Sequence, residues 1–134
     1  NERLLSLNQL AHTYMQSRND TYVMELAIQY IRRNYPKPIT LAMVSNEVSL
    51  NYAYFSTMFS KYTGKTFSEY LRNTRMEKAK ELLRQPDISI AEVAAQVGYE
   101  NYKSFYRAFK DAVGTTPVEY QQKKYRIHRE DEKQ

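Results

Sequence analysis

Two groups of side chains recur at one spacing. Ala53, Ser56, Thr57 and Ser60 stand at i, i+3, i+4 and i+7, and Lys103, Tyr106, Arg107 and Lys110 stand 50 positions later at the same intervals. On a helix this spacing gathers four side chains on one face. The first face is small and polar, the second cationic. A helix laid in a major groove needs groups that reach base edges without clashing. Arg107 can bond a guanine in bidentate fashion, Ser56 and Thr57 make shorter and less exclusive contacts, and Ala53 can meet a thymine methyl. Lys103 and Tyr106 complete the candidate base-reading set. Taken singly, Lys103, Arg107 and Lys110 also fit a solvated surface. Their recurrence on a second, matching face argues for a site.

Other chemistries have little to work with. The only histidines, His12 and His128, lie outside the paired segments, and neither a Gly-rich phosphate loop nor a His-Glu-x-x-His pattern is present. No catalytic residue, metal ligand set or cofactor is therefore expected, and Asp87 after Pro86 reads as turn chemistry. The chain has no Cys, which removes disulfides and thiolate metal sites. Its 134 residues allow one ordinary domain or two very small ones, which excludes a large multidomain enzyme. A net charge of +5 suits an anionic partner. No apolar run reaches the roughly 18 residues of a membrane span, and Asn1-Glu2-Arg3 does not open a signal peptide. A soluble, cytoplasmic chain with no membrane partner is expected. Since residue 1 is Asn rather than Met, the chain is expected to be a fragment of a longer protein.

The elements that would position these faces are helices. Apolar residues recur at i, i+3, i+4 and i+7, with little period-2 alternation, so the fold class is all-α. Leu4, Leu7, Ala11, Tyr14 and Met15 mark a connector helix within residues 1–20. Val23, Leu26, Ala27, Tyr30 and Ile31 then mark a helix over 21–34, stopped by Tyr35-Pro36-Lys37-Pro38. After it, Ile39 to Tyr70 can be laid on Ile88 to Tyr120. Leu41, Val44 and Val48 match Ile90, Val93 and Val97 at an offset of 49, while Phe59, Gly64, Thr66 and Tyr70 match Phe109, Gly114, Thr116 and Tyr120 at 50.

Each copy reads as helix, turn, helix. Ser89 to Glu92 forms a capping box, Gly98 closes the first helix in the left-handed conformation, and Asn101 caps the second. The first copy offers Ser49-Leu50-Asn51 at the turn instead of a glycine. Gly64 and Gly114 end the second helices, each followed by a capping box, with Pro117 at a first helical position. Phe55, Met58, Phe59 and Tyr62, and likewise Phe105, Ala108, Phe109 and Ala112, are the expected core stripes. Ser68 to Arg84 reads as one continuous spacer helix, roughly 25 Å long at 1.5 Å per residue. The expected division is a connector at 1–20, a first helix-turn-helix subdomain at 21–66, a linker helix at 67–86, a second subdomain at 87–122, and a basic, frayed tail at 123–134.

These motifs carry a resemblance. Ile90-Ala91-Glu92-Val93-Ala94, Val97-Gly98-Tyr99, Asn101 to Lys110, and Gly114-Thr115-Thr116-Pro117-Val118-Glu119-Tyr120, with Tyr54-Phe55-Ser56, Met58-Phe59, Thr63-Gly64, Arg75, Lys78-Ala79-Lys80 and Leu82-Leu83, resemble the DNA-binding domain of AraC/XylS-type bacterial transcription regulators over residues 21 to 120. The resemblance implies two helix-turn-helix subdomains joined by a long linker helix. It implies that recognition helices 51–62 and 101–112 enter adjacent major-groove segments of double-stranded DNA at a promoter. Phosphate contacts are expected from helix N-termini and from Asn51, Tyr52, Lys61, Lys65, Asn101, Tyr102 and Lys110. In the family an Arg often stands where Thr57 is and a basic residue where Gln121 is, which implies weaker reading by the first copy. The implied partners are RNA polymerase and an N-terminal effector or receiver domain missing from this chain, and the implied outcome is activation. The alternative for the same fold is a helical protein-protein interaction module.

Overall fold

The computed structural model describes residues 19–133, with side chains through residue 126. The expected connector helix over 4–17 lies outside the described residues. Among the described residues there are seven helices and no strand. They are α1 (19–34), α2 (Leu41–Glu47), α3 (Tyr52–Thr63), α4 (Phe67–Leu82), α5 (Ile90–Gln96), α6 (Tyr102–Val113) and α7 (Pro117–Lys133). The last of these runs through the segment expected to be a frayed tail. The chain divides into two units. One holds residues up to 33 and 39–67; the other holds 34–38 and 68 onward.

In the first unit, α1 buries Met24, Ala27, Ile28 and Ile31, an i, i+3, i+4, i+7 stripe. The expected stripe was rotated by about one residue. Val23 and Tyr30 are only half-buried and Leu26 is exposed, because α1 carries two overlapping apolar stripes and the one centred on Met24 and Ile28 takes the core. Ile39, Val44, Phe55 and Phe59 supply the remaining buried side chains. α2 packs on α3. At the margin of the packing, Tyr54 Oη donates to both carboxylate oxygens of Asp20 at 3.1 and 3.0 Å, and Tyr62 Oη donates to Glu25. Tyr62 is therefore not core, being 40% exposed, and Ala112 is exposed in the second unit. Both sit in the last turn before a glycine reversal, where the helix outruns the core. Phe67 and Tyr120 cover the phenylalanines there instead, with ring centroids 6.3 Å from Phe59 and 5.6 Å from Phe109.

In the second unit the core gathers Met76, Ala79, Leu83, Val93, Ala94, Val97, Phe105 and Phe109. Three of these lie on α4 or directly after it, so the expected spacer is a packing element of this unit. The spacing explains why. Met24, Ala27 and Ile31 are matched by Met76, Ala79 and Leu83 at an offset of 52, so the repeated element is three helices long. The Arg75 guanidinium fastens residues 34–38 to α4, with Nε donating to the Tyr35 carbonyl at 2.8 Å and Nη2 to the Lys37 carbonyl at 3.0 Å. It also lies 5.5 Å from the Tyr99 ring centroid. Burial raises the Tyr99 phenol above its ordinary range, opposed by the nearby Arg75 charge.

The two helix-turn-helix corners use one backbone device. Gly98 N-H donates to the Ala95 carbonyl at 3.2 Å and Tyr99 N-H to the Ala94 carbonyl at 2.9 Å. Ser49 and Leu50 repeat this on Asn46 and Ser45 at 3.0 and 2.9 Å. The pattern requires a left-handed residue after the helix. Gly98 supplies it at φ 101°, and a Cβ there would lie 2.9 Å from the Pro36 carbonyl oxygen. Ser49 supplies it at φ 58°, at the cost an L side chain bears in that region. We expect Gly98→Ala to lower stability by about 2 kcal/mol, adding a backbone clash to the left-handed penalty, and Ser49→Gly to raise it by about 1 kcal/mol. Urea unfolding of the two variants beside the parent checks both signs.

Candidate nucleic-acid interface

α3 and α6 begin alike. Asn51 Oδ1 accepts from the N-H groups of Ala53 at 2.9 Å and Tyr54 at 3.2 Å, and Asn101 Oδ1 accepts from Lys103 N-H at 2.8 Å. The helices also end alike, at Gly64 and Gly114 in the left-handed region. Between those ends, the roll of each helix is set by two buried phenylalanines four residues apart. Phe55 and Phe59 have ring centroids 5.5 Å apart, and Phe105 and Phe109 5.8 Å.

With those rings inward, the expected base-reading side chains face away from the core. Ala53, Thr57, Lys103 and Arg107 are exposed and form the crest of each helix, while Ser56 and Tyr106 are half-buried beside it. Each crest gathers its own residues on one helix. The expected phosphate residues fall at the helix ends. Asn51, Tyr52, Asn101 and Tyr102 stand at the N-termini, Lys61 and Lys110 in the last turns, and Lys65 just beyond Gly64, all exposed. The two asparagines have spent their side-chain oxygens on the caps, which leaves the amide nitrogens as donors. The Tyr102 ring lies 6.2 Å from that of Tyr106.

The electrostatics of the two crests differ. Among the described residues, ion pairs are confined to α4, Lys78 with Glu81 at 3.2 Å and Lys80 with Glu77 at 2.9 Å, so none engages Lys103, Arg107 or Lys110. The bond to Glu81 holds the Lys78 ammonium above its ordinary range, and the bond to Glu25 does the same for the Tyr62 phenol. The α3 crest carries no charge. Its Thr57 hydroxyl donates to the Ala53 carbonyl at 3.1 Å.

The roles of two supporting residues escaped sequence reasoning. Arg75 has no local pattern that announces its carbonyl partners some 40 positions away. Gln121 did carry a signal, standing where the resembling family often has a basic residue. Its Nε2 donates to the Gln85 and Ile88 carbonyls, both at 2.9 Å, and anchors α7 to the turn before α5. Thr116 and Glu119 cap α7 reciprocally, at 3.1 and 3.4 Å. Among the described residues no group of three His, Cys, Asp or Glu could hold a metal ion, and no helix is long and apolar enough to cross a membrane.

Two helix-turn-helix units with outward second helices define a class of DNA-binding domain, and comparison with known proteins agrees. A family model described as a helix-turn-helix domain matches residues 44–123. The regulatory protein PocR of Salmonella typhimurium is 34% identical over 99 residues, covering 74% of this chain and 33% of that protein. The chain spans about a third or less of the length of such curated relatives. The C-terminal domain of AraT, a response regulator from Geobacillus stearothermophilus, superposes with a TM-score of 0.73 at 34% identity, over 75% of this chain and 84% of that one. The DNA-binding domain of AdpA, solved in complex with a target DNA, shares the fold at a TM-score of 0.73 and 21% identity, over 79% of this chain and 95% of that one. The chain belongs to the AraC/XylS family of transcription regulators and carries their DNA-binding domain. It is not an enzyme.

The cap assignment makes a prediction that separates folding from binding. Asn101→Ala should cost about 1 kcal/mol of stability, whereas Asn101→Asp should keep the cap and hold stability within about 0.5 kcal/mol. On the expectation that Asn101 faces a phosphate, Asn101→Asp should nonetheless weaken duplex binding through charge repulsion. Thermal unfolding and a fluorescence anisotropy titration of one labelled duplex read the two effects.

Proposed function

We propose that the chain reads a promoter by inserting α3 and α6 into adjacent major-groove segments on one face of the duplex, which recur about every 34 Å. The observation that carries this reading is the repetition of one exposed crest, at the same register, on two helices capped and rolled in the same way. On α6, Arg107 and Lys103 supply most of the discrimination, Arg107 by bidentate bonds to a guanine, with Tyr106 beside them. On α3, Ala53, Ser56 and Thr57 are secondary readers. Asn51, Tyr52, Lys61, Lys65, Asn101, Tyr102 and Lys110 hold the register on phosphates.

The units at 21–66 and 87–122, joined by the helix at 67–86, act as one reader in the cytoplasm, with 1–20 as connector and 123–134 as a basic tail. The domain works within a longer regulator, under a sensing or receiver domain that precedes it, and activates transcription by recruiting RNA polymerase. The likeness to a response regulator's C-terminal domain supports the receiver form of that control.

Duplexes selected from a random pool test the reading. Arg107→Ala should lower affinity for the best site by about 1 to 3 kcal/mol and relax preference at one base pair, and Lys110→Ala should weaken all duplexes alike. Binding should fall steeply with added salt through counterion release. Unchanged affinity and preference in Arg107→Ala, or a salt response as flat as that of an apolar protein contact, would overturn the assignment.

A further inference from the structure

The two crests differ in more than charge. On α6 the exposed crest positions are Lys103 and Arg107, which end in donors. The corresponding positions on α3 are Ala53 and Thr57. Alanine offers only a methyl. Threonine could donate from a hydroxyl, but here that proton is turned back along the helix to the Ala53 carbonyl at 3.1 Å, so the side chain has no donor left for a base and keeps its methyl beside an oxygen that can only accept. The serines that could still offer hydroxyls, Ser56 and Ser60, are half-buried at the side of the crest.

We infer that α3 reads thymine methyl groups through the methyls of Ala53 and Thr57, and that its half of the site is rich in A·T pairs while the α6 half carries guanine. The inference rests on the proposed insertion of α3 into a major groove and adds the chemistry of what is read there. Thymine alone among the bases places a methyl in that groove, and small apolar groups are its fitting partners. The two side chains are one helical turn apart, about 6 Å between Cβ atoms. That is close to two base steps of about 3.4 Å, so the pair spans thymines on neighbouring or next-neighbouring steps. A methyl reader makes no charged contact, so the discrimination at this half is insensitive to salt, unlike that at the α6 half.

Replacing single thymines by uracil in a duplex selected by the whole chain removes the methyl and leaves pairing intact. One or two such changes, confined to one half of the site, should each weaken binding about 3- to 5-fold. Thr57→Val, which keeps a methyl and loses the hydroxyl, should bind within 2-fold of the parent. Thr57→Ser, which keeps the hydroxyl and loses the methyl, should lose about 3- to 5-fold and bind thymine and uracil duplexes equally at one position, as a coupled pair must. If Thr57→Val lost affinity while Thr57→Ser kept it, or if no uracil change mattered, the hydroxyl or nothing at all would be the reader and the inference would fall. Failure of the parent chain to select any duplex would overturn the insertion of α3 itself.

Discussion

Everything outward on α3 and α6 depends on the burial of two phenylalanines four residues apart. A helix turns by about 100° per residue, so shifting the buried pair by one position would swing Ala53 and Thr57, or Lys103 and Arg107, away from the crest. Phe55, Phe59, Phe105 and Phe109 are all fully buried, and each contributes on the order of 1.5 to 3 kcal/mol by leaving water. No polar interaction on the exposed side of these helices approaches that value. Packing therefore fixes the roll, and the exposed residues inherit their direction from it. This separates the two tasks of the helix, since crest residues can change without disturbing the core.

That separation explains what the two copies keep and what they vary. Both keep the asparagine cap, the phenylalanine pair, the left-handed corner and the left-handed glycine at the end of the second helix. Both also keep a supporting helix before the corner, which buries Met24, Ala27 and Ile31 in one case and Met76, Ala79 and Leu83 in the other. They differ in how the margins are fastened. The first unit uses Tyr54 and Tyr62 on acidic side chains of α1, whereas the second uses Arg75 and Gln121 on backbone carbonyls. They differ also at the corner, where Gly98 meets the Pro36 backbone and Ser49 holds the same conformation at a strain.

Much of this was legible in the sequence because it is local. Caps such as Ser89 on Glu92 N-H at 3.1 Å, the glycine reversals and the phenylalanine spacing each involve residues within one or two turns. The candidate crests were legible for the same reason, since a face follows once the opposite stripe is known. Contacts distant along the chain were not. The α1 stripe was misplaced because Val23, Leu26 and Tyr30 are as apolar as Met24 and Ile28, and only tertiary packing chooses between them. The supporting role of α4 was hidden because its repeat lies at an offset of 52, while the flanking segments repeat at 49 and 50. The bond from the Thr57 hydroxyl to the Ala53 carbonyl was not legible either, because spacing shows that a residue faces outward and not where its polar group is bonded.

The uneven crests then bear on how affinity and selectivity can be divided between two helices of one domain. Lys103, Arg107 and Lys110 carry no ion pair among the described residues, so nothing intramolecular must be broken before they meet an anion. Acidic partners are spent instead on α4 and α1, where Glu77, Glu81, Asp20 and Glu25 are engaged. A cationic crest on both helices would have raised affinity for every duplex, because phosphate attraction does not depend on sequence. Confining the crest cations to α6 and leaving the α3 crest neutral, with Lys61 set apart in the last turn, would limit that unspecific component at the α3 crest.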